Sequence, residues 1–399
     1  MLITAQPRNI VNFCGAYIFS AFGYEFLVFV MTLYVYKITG EPLSVGIFTA
    51  VSLMPRLASP YYGSITDRYR KNRVFRNAAC MTGILIILLG LFQNMLGIYV
   101  IWFFISIMFM VIMNVRTAIM TEVMPKDDFL KGNALVMISL NFARILAPLI
   151  GGFIIGFYSV QMLLVLGSVF YFLVALFSSM VRLETSKTSE RFTAQKVTEH
   201  IREGVQYIFT NHDLRYLLFV IIGWRFFLGF QVSLFVVYIK TYLARGDMEF
   251  GLFMAMLGGG SILGSFCGPA IIKRVDSYRM IHWCLSFHYL SFVLLGLLHN
   301  YILALIIVSA SYFLFFATVV NNHSLRDRLT KSEIRGRVYG SIAAITTPFG
   351  ITSMLLGSYC AGLFGVEKVF IGGGVLATGW LLINGLLFSK VKLLPLRQT

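Results

Sequence analysis

The sequence predicts an all-α polytopic membrane protein of twelve transmembrane helices, arranged as two similar six-helix halves. Three observations carry that expectation. Hydrophobic residues make up 58% of the chain and charged residues only 13%, about half the charged share of a soluble domain. At about 20 residues per span and with short loops, 399 residues accommodate about twelve helices. The second half repeats the pattern of the first at a spacing of about 205 residues.

The first span is expected over Ile10–Tyr36, with Gly15, Gly23 and one acid, Glu25. Its apolar run is too long for a signal-peptide core and no small-residue cleavage site follows, so it is expected to remain as a helix. The turn Lys37-Ile-Thr-Gly40-Glu-Pro42 ends it, because Gly and Pro punctuate helices. The second span, Leu43–Thr66, carries Pro55-Arg56 near its middle, where proline kinks a helix. Next comes Gly63-Ser-Ile-Thr-Asp67-Arg68-Tyr-Arg70-Lys71-Asn-Arg73, continuing to Arg76. A loop this basic between two spans is held on the cytoplasmic side. The third span is read as Phe75–Leu96 and the fourth as Ile98–Thr121, followed by the polar turn Glu122-Val-Met-Pro125-Lys-Asp127-Asp128. The fifth contains Asn141-Phe-Ala-Arg144-Ile-Leu-Ala-Pro148-Leu-Ile-Gly151-Gly152, and the sixth ends near Arg182.

Residues 183–213 form the long polar segment that divides the chain, giving an N-terminal bundle over 1–182 and a C-terminal bundle over 214–399. Within it, Val197–Phe209 places apolar residues at 197, 201, 205 and 208. That pattern predicts an amphipathic helix on the inner membrane surface.

The net charge of +16 is a topology signal rather than a nucleic-acid footprint. Of 33 Lys and Arg, four fall in outside loops (Lys37, Lys240, Arg245, Lys368) and four inside spans (Arg56, Arg116, Arg144, Arg225). The rest lie on the proposed cytoplasmic side, so both termini are expected to be cytoplasmic. The five Cys all lie in apolar runs without metal-ligand spacing, which indicates neither a disulfide framework nor a metal site. Gly258-Gly-Gly260 is not followed by Gly-Lys-Ser/Thr, so no nucleotide-binding loop is expected. His282 and His288 stand six residues apart, which does not put them on one helix face, and no nucleophile–His constellation is present. An enzyme is not expected.

Gly63, Asp67, Arg68 and Lys71 match the Gly-x-x-x-Asp-Arg-x-x-(Arg/Lys) signature between helices 2 and 3 of major facilitator superfamily transporters. Arg70 departs from it, since many members carry glycine there. A plain positive-inside loop explains the basic residues but not Asp67 or Gly63. The chain resembles that family from end to end. Tyr34-x-Tyr36-Lys-Ile-Thr-Gly40, the Ala-Arg144 element with Ala147 in place of its first glycine, and Arg335-Gly-Arg337-Val resemble its exporters of siderophores (enterobactin-like) and macrolides. The resemblance implies the major facilitator fold, a substrate site near mid-membrane between the halves, and a gating role for Gly63, Asp67, Arg68 and Lys71.

Charges inside spans face a cavity or a partner. Glu25 is the acid deep in a span and the candidate proton site; the alternative is a fixed partner for an arginine. Arg116 lies about one and a half turns before Glu122 and is read as structural. Gly151 and Gly152 are read as packing residues. Arg56, Arg144 and Arg225, with Tyr24 and Trp224, are the candidate substrate contacts; Tyr34, Phe227 and Tyr312 are further candidates for lining a cavity. Spare guanidinium groups favour carboxylates, which arginine binds through paired hydrogen bonds. The expected function is proton-coupled export of a small anionic natural product, such as a siderophore or metallophore, across the bacterial cytoplasmic membrane. The alternatives are a multidrug or macrolide efflux antiporter conferring drug resistance, an uptake symporter of the same fold, and a non-transporting scaffold or receptor docking through 183–213. No cofactor is expected, the proton gradient being the energy source. The expected partners are a small-molecule substrate and the lipid membrane, with no nucleic acid and no nucleotide, and the chain is expected to act as a monomer.

Overall fold

The computed structural model describes residues 7–58, 62, 69–123, 129–183 and 194–388. Every regular element among them is helical. In order they are α1 (Pro7–Thr39), α2 (Pro42–Leu53), α3 (Lys71–Leu89), α4 (Met95–Val123), α5 (Phe129–Ile154), α6 (Val160–Met180), α7 (Ala194–Thr210), α8 (His212–Val232), α9 (Asp247–Ile272), α10 (Ser277–Leu297), α11 (Tyr301–Leu329), α12 (Arg335–Phe364) and α13 (Val366–Leu387). Among the described residues ten helices are long and apolar enough to cross a membrane. Two shorter apolar stretches, Pro42–Ala58 and Ile138–Ile154, stand at the second and fifth positions and complete the twelve.

Turn chemistry sets the breaks. Gly40 takes φ +62°, a left-handed turn that favours glycine, and Pro42 then opens α2, where its missing N–H costs nothing. Asn211, Asp276 and Asn300 cap α8, α10 and α11 by accepting backbone N–H groups that have no partner in the first turn.

Two boundaries differ from the sequence reading, and the seventh span is interrupted. The second span stops at Leu53, because Pro55 cannot continue the helix; a 3₁₀ turn, Met54–Ala58, follows, and Tyr62 Oη donates to the Pro55 carbonyl at 3.1 Å. The third span ends at Leu89 rather than Leu96. Asn94 accepts from Gly97 N at 2.6 Å and starts α4 there. The seventh is interrupted: α8 stops at Val232, and a short turn, Phe235–Val237, leads into a π-helical turn over Tyr238–Tyr242.

By contact the chain divides into two units, Met1–Ile38 with Val51–Ala194, and Thr39–Ala50 with Gln195–Thr399. In the first, α3 packs on α4 and α6. A Cβ on Gly151 of α5 would stand 2.8 Å from the Phe29 ring of α1, so this glycine is a packing residue, as read from the sequence. Asn9 and Arg182 close the start of α1 on the end of α6 with two hydrogen bonds of 2.7 Å.

In the second unit, α9 lies against α11, α10 against α13 and α8 against α12. Gly260, Gly264 and Gly268 form one stripe on α9 and meet Ser309, Phe313 and Ala317 of α11, backbone against backbone. The amphipathic α7 does not lie free on a membrane surface. Ile208 is fully buried, Tyr207 donates to the Leu329 carbonyl, Ser341 of α12 donates to the Ile201 carbonyl, and Glu203 pairs with Arg337. Gly204 is pressed against the Arg337 carbonyl. Part of the apolar stretch that suggested lipid is spent on protein, while Phe209 at its end stays exposed. Gly204→Leu is therefore expected to lift α7 off α12. Proteolysis within residues 194–210 should accelerate while the spanning helices stay folded; unchanged protection counts against this docking.

Candidate functional site

The charged residues within the spans of the first unit gather around α1. This helix runs for 33 residues without a break and carries Tyr24 and Glu25 near its middle. From α5, Arg144 brings its Nε to 3.6 Å from Glu25 Oε1. Arg144 keeps 40% and Glu25 27% of its side-chain exposure, so the pair is reachable rather than sealed in the core. Tyr24 stacks on Phe109 of α4, centroids 3.6 Å apart and planes within 11°, which holds its ring in place. It lies within electrostatic reach of Arg56, Glu25 and Arg144. Arg56 is positioned by the 3₁₀ turn that Pro55 imposes.

Arg116 does not pair with Glu122. Six residues on a helix turn through about 600°, which leaves the two on different faces. Glu122 instead pairs with Lys71, the first residue of α3. Arg116 is 3% exposed, its guanidinium lies 3.8 Å from the Tyr17 ring centroid, and Nη2 approaches Met113 Sδ at 2.7 Å. A cation over an aromatic face replaces the expected ion pair. Tyr171 of α6, fully buried, lies within electrostatic reach of Arg116, Tyr24 and Glu25. Nothing in the local sequence marks Tyr171 or Tyr17 as neighbours of these charges, because each comes from another helix. Among the described residues, Glu25 thus pairs with Arg144, while Arg56 and Arg116 lie within electrostatic reach of the neighbouring Tyr24 and Tyr171 respectively.

Residues 13–345 match the Major Facilitator Superfamily. The chain belongs to this superfamily. Solved structures agree on the fold. A nucleoside transporter, NupG, superposes with a TM-score of 0.79 at 10% identity, covering 96% of this chain and 100% of that one. A bacterial homolog of the human lysosomal transporter Spinster, inward-facing and unoccupied, gives 0.72 at 12% identity, covering 96% of each chain. A bacterial homologue of the iron transporter ferroportin, inward-facing, gives 0.68 at 14%, covering 94% of this chain and 98% of that one. Among curated proteins no relative matches in sequence. The chain is therefore a multi-pass membrane transporter of the superfamily.

Of the residues matching the superfamily signature, Gly63, Asp67 and Arg68 lie outside the described residues. Arg225 belongs to α8 in the second unit, within electrostatic reach of His323. Trp224 is 6% exposed and meets Phe315 edge-on at 5.7 Å, inside the core of that unit. Phe227 and Tyr312 are buried there as well, and Tyr34 is half-buried on α1. Tyr312 Oη donates to Gln231 Oε1 at 3.3 Å, just before the interruption of α8. His288 is fully buried, 2.7 Å from Ser311 Oγ and stacked on Phe315. This polar network was missed, since a lone histidine in an apolar run carries no partner signal.

Proposed function

We propose that this transporter exports a small anionic natural product, such as a siderophore or metallophore, across the cytoplasmic membrane with proton coupling through Glu25. The observation that carries the reading is the Glu25–Arg144 pair with Arg56 and Tyr24 beside it. A substrate carboxylate takes Glu25's place on Arg144. Glu25 then loses its counter-ion, and a carboxylate alone in a low-dielectric site takes up a proton. Anion and proton therefore load together, so in this reading the proton leaves with the substrate rather than in exchange for it. The membrane potential, not the proton gradient expected from the sequence, then drives export. A substrate with two or more negative charges still carries net negative charge outward with one proton. An inside-negative potential drives that movement by about 2.3 kcal/mol per charge per 100 mV. The outward direction rests on the Ala-Arg144 element and its resemblance to exporters.

Drug efflux by proton exchange is the second reading, and the same pair favours it in one case. A cationic drug competes with Arg144 and with a proton for Glu25, so binding releases protons. Titration of the purified chain in weakly buffered detergent separates the two. A carboxylate-bearing chelator is expected to bind with proton uptake, and Arg144→Ala to weaken it about tenfold to a hundredfold, the loss of one charge-assisted contact of about 1.5–3 kcal/mol. Arg144→Lys should restore only part of the affinity, because an ammonium lacks the two-pronged geometry. Binding of tetraphenylphosphonium with proton release, and none of the chelator, moves the assignment to drug efflux.

A further inference from the structure

Away from the Glu25–Arg144 cluster, the first unit carries a groove of about 640 Å³ between α3 and α4. Its walls change character along their length. At the start of α3 stand Arg70 and Arg73, both exposed. One turn further, Val74 and Ala78, with the exposed Asn77 between them, continue the same helix face, and Met108 and Val111 of α4 form the opposite wall. The Lys71–Glu122 pair fixes the relative level of the two helices. Along α3 the lining runs from Arg70 to Ala78, about 12 Å at 1.5 Å per residue, against the Met108–Val111 turn of α4. That is somewhat under half of a hydrocarbon core of about 30 Å.

We propose that this groove seats an anionic phospholipid, its phosphate between Arg70 and Arg73 and one acyl chain along Val74, Ala78, Met108 and Val111. Charge complementarity selects the occupant. Two guanidinium groups suit a phosphate, and no acidic side chain lines the groove among the described residues to receive the ammonium of a zwitterionic headgroup. The apolar walls at membrane depth leave a small soluble anion with nothing to fill the lower half. A polybasic helix start beside an apolar span is where the anionic leaflet binds most strongly.

Native mass spectrometry of the full chain in detergent tests this, with phosphatidylglycerol and phosphatidylcholine of matched acyl chains as probes. The wild type is expected to retain phosphatidylglycerol preferentially. The doubly substituted chain, Arg70→Gln with Arg73→Gln, should bind it about thirtyfold more weakly, corresponding to about 1 kcal/mol per arginine, with phosphatidylcholine weakened less, so that the preference between the two lipids is lost. Both side chains are exposed, so their removal leaves the helix packed. Met108→Trp, which fills the lower groove, should weaken both lipids. Lys273→Gln with Arg274→Gln, two exposed residues of the second unit, should change neither. Equal retention of the two lipids by the wild type overturns the proposal. So does a loss as large in the Lys273/Arg274 control, which makes the preference a general surface effect. Displacement of the lipid by glycerol phosphate at equal concentration overturns it too, by making the site one for a soluble anion.

Discussion

Replacing Glu25 with glutamine is expected to make carboxylate binding independent of pH and to uncouple transport from protons. In the wild type, Arg144 lies against Glu25, and only the ionised form of that carboxyl holds the guanidinium by charge. Protonation releases the guanidinium for a substrate anion, so affinity should be highest at low pH and fall as pH rises through the Glu25 titration. The limit is tenfold per pH unit, one proton being linked to one anion. A glutamine at 25 carries no charge and competes weakly for Arg144. The variant should bind at least as tightly as the protonated wild type, with a flat profile from about pH 5 to 8. In proteoliposomes it should still exchange substrate across the membrane, but a pH jump should no longer shift the distribution. Unchanged pH dependence of binding in the variant removes Glu25 from the coupling. Arg144→Ala distinguishes a merely structural role: it leaves Glu25 without its partner and should weaken anion binding about tenfold to a hundredfold while leaving the thermal transition of the folded chain in place.

The second large effect belongs to packing. Gly264→Leu is expected to prevent the second unit from assembling. A side chain at 264 would run into the Phe313 backbone of α11, and backbone cannot move aside as a flexible side chain can. Overpacking costs about 1–3 kcal/mol where side chains yield, and more here. Even Gly264→Ala should lower the melting temperature markedly. Gly259 provides the control. Nothing stands within 4 Å of its would-be Cβ, so Gly259→Ala should stabilise α9 by about 0.5–1 kcal/mol, the usual gain when a helical glycine is replaced. Equal behaviour of Gly259→Ala and Gly264→Ala in a thermal titration argues against the close α9–α11 approach.

These two cases also mark how far the sequence could be read. Glu25 and Arg144 stand out in any reading, because ionised groups in apolar runs are costly and need a reason. That they meet each other is a fact of α1 crossing α5. Arg116 shows the failure of reasoning along one helix. Its nearest acid in sequence, Glu122, turns to Lys71 on α3, and Arg116 finds the Tyr17 ring on α1. The glycine stripe of α9 was visible as glycines, and only the partner helix shows which of them matter. Gly259 and Gly260 are neighbours in sequence and opposite in consequence.

What the sequence by itself determined is the membrane class, the number of spans and most helix boundaries. These follow from local physics: apolar length against bilayer thickness, and turn residues whose backbone conformation ends or caps a helix. The tertiary structure decided the partners: Glu25 with Arg144, Glu122 with Lys71, α7 on α12, and the residues that line the groove between α3 and α4. Partner choice depends on which faces helices distant in sequence turn towards each other. Helix–helix packing sets those faces, and no window along the chain encodes them.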